Sequence, residues 1–130
     1  MSARPLSILV ADDNVDAANT LGQLLALGGH RVDIAFDGEQ ALRQAGEHLP
    51  DVAVLDLLMP RLDGVQVARQ LRARGTPLRP LLLIALSGSV SDGAPQCREI
   101  DAYFAKPVDF VRLERFIHEW SAQIGDRGCH

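Results

Sequence analysis

Cysteine is scarce. The 130-residue chain has two, Cys97 and Cys129, with neither the spacing of a metal site nor the density of a disulfide framework. A reduced, cytoplasmic setting follows as the expectation. No apolar run reaches the roughly 18 residues that a membrane span requires, and the opening MSARPLSILV has no signal-peptide cleavage pattern. Positive charge is also short, with 13 Lys and Arg against 17 Asp and Glu for a net charge of −4. That balance argues against binding nucleic acid or an acidic membrane through bulk charge. Histidines 30, 48, 118 and 130 are scattered and form no HExxH arrangement, so they read as surface or turn residues. Neither GxGxxG nor a Walker-type loop is present, which leaves nucleotide binding unsupported. There is no internal repeat and no segment biased enough to serve as a linker.

What remains is the composition of one globular domain, 47% hydrophobic and 23% charged. Apolar runs alternate with amphipathic stretches from end to end. LSILVADD reads as a strand closing on two aspartates, and NVDAANTLGQLLALGG as a helix stopped by Gly28-Gly29. RVDIAF alternates Val32, Ile34 and Phe36, which suits a half-buried edge strand. DGEQALRQAGEHLP is a helix ended by Pro50, DVAVLD a continuously apolar strand, and DGVQVARQLRARG a helix ended by Gly75. PLLLIALS is the most apolar strand and DAYFAK a fifth, short one. VDFVRLERFIHEW closes the pattern as a helix capped by Asp109, with Phe110, Leu113, Phe116, Ile117 and Trp120 as its buried stripe.

Five strand-then-helix units predict an α/β fold: a doubly wound five-stranded parallel sheet with helices on both faces. Right-handed crossovers make the flavodoxin-like order 2-1-3-4-5 the natural topology. In such a sheet the ligand crevice lies beyond the carboxyl ends of the strands, where the order reverses. Strand one ends at Asp12 and Asp13, strand three at Asp56, strand four at Ser87 and strand five at Lys106. Each has a plain reading alone. Asp12 or Asp13 could be a helix N-cap beside Asn14, Ser87 the start of a loop, Lys106 a surface lysine and Tyr103 packing at the rim. Their joint placement at one end of one sheet points to a site. Three clustered carboxylates need neutralising cations, which Lys106 and a Mg²⁺ ion would provide. A carboxylate flanked by both is a plausible nucleophile toward a phosphoryl group.

With those residues assembled, the chain resembles a bacterial two-component response-regulator receiver domain, of the single-domain, chemotaxis-regulator-like kind. The resemblance rests on ILVADDN, VLDLLMPRLDG, ALSG and AYFAKPVD. It implies a lead-in over 1–5, a receiver domain over 6–121 and a short tail over 122–130. It implies that Asp56 accepts a phosphoryl group from a histidine kinase or histidine phosphotransfer protein. Asp13 and Asp56 would bind Mg²⁺ directly, with the backbone carbonyl of Leu58, while Asp12 acts through water. Lys106 would pair with the phosphoryl oxygens, Ser87 would hydrogen-bond one of them, and Tyr103 would be the aromatic switch. The Lys106–Pro107 peptide would be cis. The implied protein is a cytoplasmic phosphorelay component acting on an unknown downstream protein target. It would be no enzyme beyond accepting and slowly losing its own phosphoryl group, and would bind neither nucleic acid nor membrane. It would be a monomer or a phosphorylation-dependent dimer.

Two features depart from the family pattern. Ser87 to Lys106 is about one helical turn short, and Gly93, Pro95 and Arg98-Glu99 interrupt the place of the fourth helix. That helix is expected to be short, displaced or disordered, and Tyr103 could couple to an ordering of 88–100; a tolerated deletion is the alternative. Leu58 places an apolar side chain near the phosphoryl group, where it would hinder the hydrolytic water. Two other functions stay open. One is a binding-only pseudo-receiver; the other is an aspartate-nucleophile phosphohydrolase, which would need an Asp where Leu58 stands. SAQIGDRGCH is too short to form an output domain.

Overall fold

The computed structural model describes residues 5–57, 59, 63–74, 81–88 and 98–128. In chain order these form β1 (Ser7–Ala11), α1 (Val15–Leu27), β2 (Arg31–Ala35), α2 (Gly38–Glu47), β3 (Val52–Asp56), α3 (Gly64–Arg74), β4 (Leu82–Ser87), β5 (Ala102–Ala105) and α4 (Phe110–Gly128). The strands make a single sheet in the order β2-β1-β3-β4-β5. Every adjacent pair is parallel. This is the doubly wound, flavodoxin-like topology that the strand–helix alternation predicts.

Strand periodicity sorts the core into two layers. Successive side chains of a strand point to opposite faces. Leu9, Ala53, Leu55 and Leu83 therefore meet Ala41, Leu42 and Ala45 of α2 and Val67, Ala68 and Leu71 of α3. Ile8, Val10, Val54 and Ile84 meet Ala18, Leu21 and Leu25 of α1 and Leu113 and Ile117 of α4. All of β3 and β4 is buried, as befits strands covered on both faces. The half-buried β2 pairs only with β1, at the sheet edge.

Local signals begin and end the helices. Asn14 Oδ1 accepts the Ala17 N–H at 3.1 Å, Asp37 Oδ1 that of Gln40 at 2.8 Å, and Asp109 Oδ1 that of Val111 at 3.1 Å. These are N-caps, each worth about 1 kcal/mol. Gly29, at φ 93°, turns the chain out of α1 in the left-handed region that glycine enters without penalty. On α4, Leu113 and Ile117 are fully buried, contributing about 1.5–3 kcal/mol each. Phe110, Phe116 and Trp120 flank them as partly buried neighbours.

The closing helix runs past residue 121 to Gly128, through most of the stretch that the sequence suggests as a short tail. No proline interrupts that stretch, and its Ala122 and Gln123 are strong helix formers. The shortened helix expected between β4 and β5 falls largely on 89–97, outside the described residues.

Candidate functional site

The carboxyl ends of β1, β3, β4 and β5 bring the polar residues together. Asp12 extends β1 by one ladder bond, its N–H donating to Ala35 O at 3.1 Å. Its Oδ1 accepts the Asn14 N–H at 2.9 Å. Asn14, and neither aspartate, caps α1, which leaves Asp12 Oδ2 facing the crevice. Asp56 is the last residue of β3 and only 5% exposed. Asp13 is exposed at the rim.

Lys106 follows β5 and is the chain's single lysine. Its N–H donates to Ser87 O at 2.8 Å, which fixes its backbone to the end of β4. The Lys106–Pro107 peptide is cis. From there the ammonium reaches Asp56 Oδ2 at 3.1 Å and Asp12 Oδ2 at 3.2 Å. Partial burial works against its charge, but Asp56 and then Asp12 outweigh that and raise its pKa above the ordinary lysine value. The lysine is a held cation at neutral pH, not a proton donor or a nucleophile.

Ser87 ends β4 and is buried beside this ion pair, in register with Ala105. Tyr103, in register with Ala85, is half-buried and packs against the layer that holds α2 and α3. Leu58, whose carbonyl the sequence offers as a metal ligand, lies outside the described residues.

Oxygens of Asp12, Asp13 and Asp56 all lie within 4.8 Å of one another. Two carboxylates about 4 Å apart repel by roughly 4 kcal/mol at an effective dielectric of about 20. One lysine cannot neutralise three such groups. Hard oxygen donors at this separation, open to solvent on the Asp13 side, are the set that Mg²⁺ takes alongside its waters. The residues fit the ion.

One neighbour escaped the sequence reading. Gly64 opens α3 directly behind the site, and a Cβ there would lie 2.5 Å from the Asp56 carbonyl oxygen. The dipeptide Asp63-Gly64 was visible, but its close approach to Asp56 depends on how α3 docks.

The sequence profile of the response regulator receiver domain matches residues 8–118. The chain belongs to that family. It is 41% identical over 110 residues to the response regulator MprA of Mycobacterium sp. strain KMS, covering 84% of this chain and 47% of that protein. The receiver thus spans about half the length of the curated relatives it matches. Among solved structures it resembles the receiver domain of the sensor histidine kinase PA1611 of Pseudomonas aeruginosa, with magnesium coordinated in the active-site cleft. Identity there is 29% and the TM-score 0.79, over 92% of this chain and 99% of that one. The receiver domain of yeast Ssk1, co-crystallised with the histidine phosphotransfer protein Ypd1, shares the fold at 24% identity and a TM-score of 0.82, covering 94% of this chain and 92% of that one. Receivers are in general signalling modules of two-component systems, and this chain is homologous to them. No described helix is long and apolar enough to cross a membrane.

Proposed function

We propose that Asp56 is the phosphoacceptor of this receiver, taking a phosphoryl group from a histidine kinase or histidine phosphotransfer protein. The observation that carries the reading is the shared ammonium of Lys106, 3.1 Å from Asp56 and 3.2 Å from Asp12. A lysine so placed holds the nucleophile's carboxylate at the crevice and stands ready to pair with phosphoryl oxygens. Asp56 Oδ attacks phosphorus, the P–N bond to the donor imidazole breaks, and the imidazole leaves with the electron pair and a proton from water. Asp12, Asp13 and Asp56 would hold Mg²⁺, which when bound supplies charge neutralisation on the transferred oxygens. The chain's own residues supply position: β3 ends on Asp56, the Ser87–Lys106 backbone bond ties the lysine to β4, and the Ser87 hydroxyl would hydrogen-bond an arriving phosphoryl oxygen. Tyr103, on β5 and half-buried, would register movement of Ser87.

A cavity of about 410 Å³ runs from Asp12 and Lys106 between α1 and the start of α4, past Leu21, Leu24, Pro107 and Phe110. Its apolar walls beside a charged end suit the helix on which a partner presents a phosphohistidine. On this reading the protein is a cytoplasmic switch that modifies only itself.

Intact mass after incubation with Mg²⁺ and acetyl phosphate tests the proposal. One added phosphoryl group, absent in Asp56→Asn and without Mg²⁺, is expected. No adduct with the donor, and no capture of beryllofluoride, would make the domain a binding-only module.

A further inference from the structure

The peptide that carries Asp56 is gripped from two sides. The Leu57 N–H donates to Leu86 O at 3.1 Å, continuing the ladder to β4. The Leu57 carbonyl accepts the Gly64 N–H at 3.2 Å, from the first residue of α3. The contact is close: a Cβ on Gly64 would meet Leu57 Cα at 2.9 Å. The start of α3 thus rests on the backbone just after Asp56 with no side chain between them.

What keeps Gly64 there is a pair of reciprocal bonds. Asp63 Oδ1 accepts the Gln66 N–H at 2.9 Å, and Gln66 Oε1 accepts the Asp63 N–H at 3.1 Å. This capping box fixes the backbone on both sides of Gly64. Gln66 is itself exposed, so shortening it opens no cavity and leaves the core intact.

We propose that Gln66 is a positioning residue for phosphoryl transfer. By closing the capping box it seats Gly64 on Leu57, and so holds the Asp56 carboxylate toward Lys106 and the other two carboxylates. The inference rests on the proposed role of Asp56, and it adds a residue that touches neither the phosphoryl group nor a carboxylate of the site.

The molecule contains its own control. On α2, Asp37 Oδ1 accepts the Gln40 N–H at 2.8 Å, and Gln40 Oε1 accepts the Phe36 N–H at 2.9 Å. The same Asp–Gln pair caps this helix, with the glutamine reaching the residue before the cap instead of the cap itself, and it serves the helix that follows edge strand β2. Gln66→Ala, Gln66→Glu and Gln40→Ala should be compared with the wild type in three measurements. These are amide hydrogen exchange without metal or donor, the phosphorylation rate with acetyl phosphate at saturating Mg²⁺, and the melting temperature. Gln66→Ala should speed exchange at Gly64 and slow phosphorylation, each about three- to tenfold, the range set by losing one cap. Gln66→Glu should restore both, since glutamate closes the same box. Gln40→Ala should lower the melting temperature as much while leaving the phosphorylation rate unchanged.

Equal slowing in Gln66→Ala and Gln40→Ala would overturn the proposal, because stability alone would then explain it. So would an unchanged rate in Gln66→Ala. If the wild type takes no phosphoryl group, the reading of Asp56 fails instead. Exchange at Gly64 then decides the proposal: wild-type exchange in Gln66→Ala overturns it, and faster exchange upholds the seating of Gly64 by Gln66.

Discussion

Lys106 Nζ lies 3.1 Å from Asp56 Oδ2, although β4 separates the strands that carry the two residues. The lysine side chain crosses the end of β4, and its own backbone N–H is tied to Ser87 O on that strand. One residue therefore links the Asp56 carboxylate and Asp12, just past β1, through its ammonium, and the last residue of β4 through its backbone.

Replacing Lys106 with Gln should slow phosphorylation by small donors at least tenfold, the scale of losing a charge that acts on the transferred oxygens. The same change should tighten Mg²⁺ binding about three- to tenfold, because it removes a cation that competes for the same carboxylates. Calorimetric Mg²⁺ titration checks the second effect, and weaker binding in the variant would contradict it. The stability effect has a definite pH sign. Folding raises the pKa of Lys106, so its contribution is fully present below the ordinary 10.5 and is lost as pH climbs through the raised value. The gap in urea midpoint between wild type and Lys106→Gln, without metal, should therefore be constant from about pH 7 to 9 and close only above the ordinary lysine pKa.

Gly64→Ala places a methyl group 2.5 Å from a backbone oxygen that cannot rotate away. Overpacking of this kind costs about 1–3 kcal/mol, and here the displaced atoms belong to Asp56 and Leu57. Urea denaturation should show that loss, and the phosphorylation rate should fall more than in Gly88→Ala, where a Cβ meets nothing within 4 Å. Equal rates in the two variants would mean that the approach of α3 does not set the position of Asp56.

The parts of this molecule legible in its sequence are those written in local pattern. Strand alternation in RVDIA, unbroken apolar runs in VAVL and LLIAL, and Gly28-Gly29 each act over a few residues, and the sheet order follows from them. The site was legible because four strands end on functional groups. What stayed hidden depends on contacts between distant segments. Asp12 and Asp13 both looked able to cap α1, yet Asn14 does so, because Asp12 first pairs backward with Ala35. No local rule marks Arg72 as more than a surface residue of α3, although its guanidinium reaches carbonyls 9 and 27 residues away.

That guanidinium supports the return from β4 to β5. Arg72 donates to Leu81 O, Glu99 O and Asp101 Oδ2, each at 2.8 Å. The same Asp101 oxygen accepts the Leu83 N–H. Arg72→Met keeps the aliphatic stem and removes all three bonds, so stability should fall by about 1–3 kcal/mol. Hydrogen exchange should rise first around 98–101. A loss spread evenly over all five strands would show instead that Arg72 acts on global stability, not on that corner.

His30 gives the fold a weakness on the acid side. Its Nδ1 accepts the Leu6 N–H at 3.2 Å, which needs that nitrogen unprotonated. Burial lowers the pKa of the ring; Glu114 on α4 pulls it back up, and His118 on the same helix pushes it down. A histidine that folding makes harder to protonate stabilises the fold fully above its ordinary 6.5, and that contribution drains away as pH falls below it. The unfolded chain binds the proton first. His30→Asn offers a side-chain oxygen to the same N–H and has nothing to titrate, so it isolates the effect. The wild type should lose more stability than His30→Asn between about pH 7.5 and 5.5, a window that spans the ordinary histidine pKa. Urea midpoints at the two pH values measure this, with His48 and His118 present in both proteins. Parallel losses would assign the acid sensitivity to other groups and leave the Leu6–His30 bond a purely structural one.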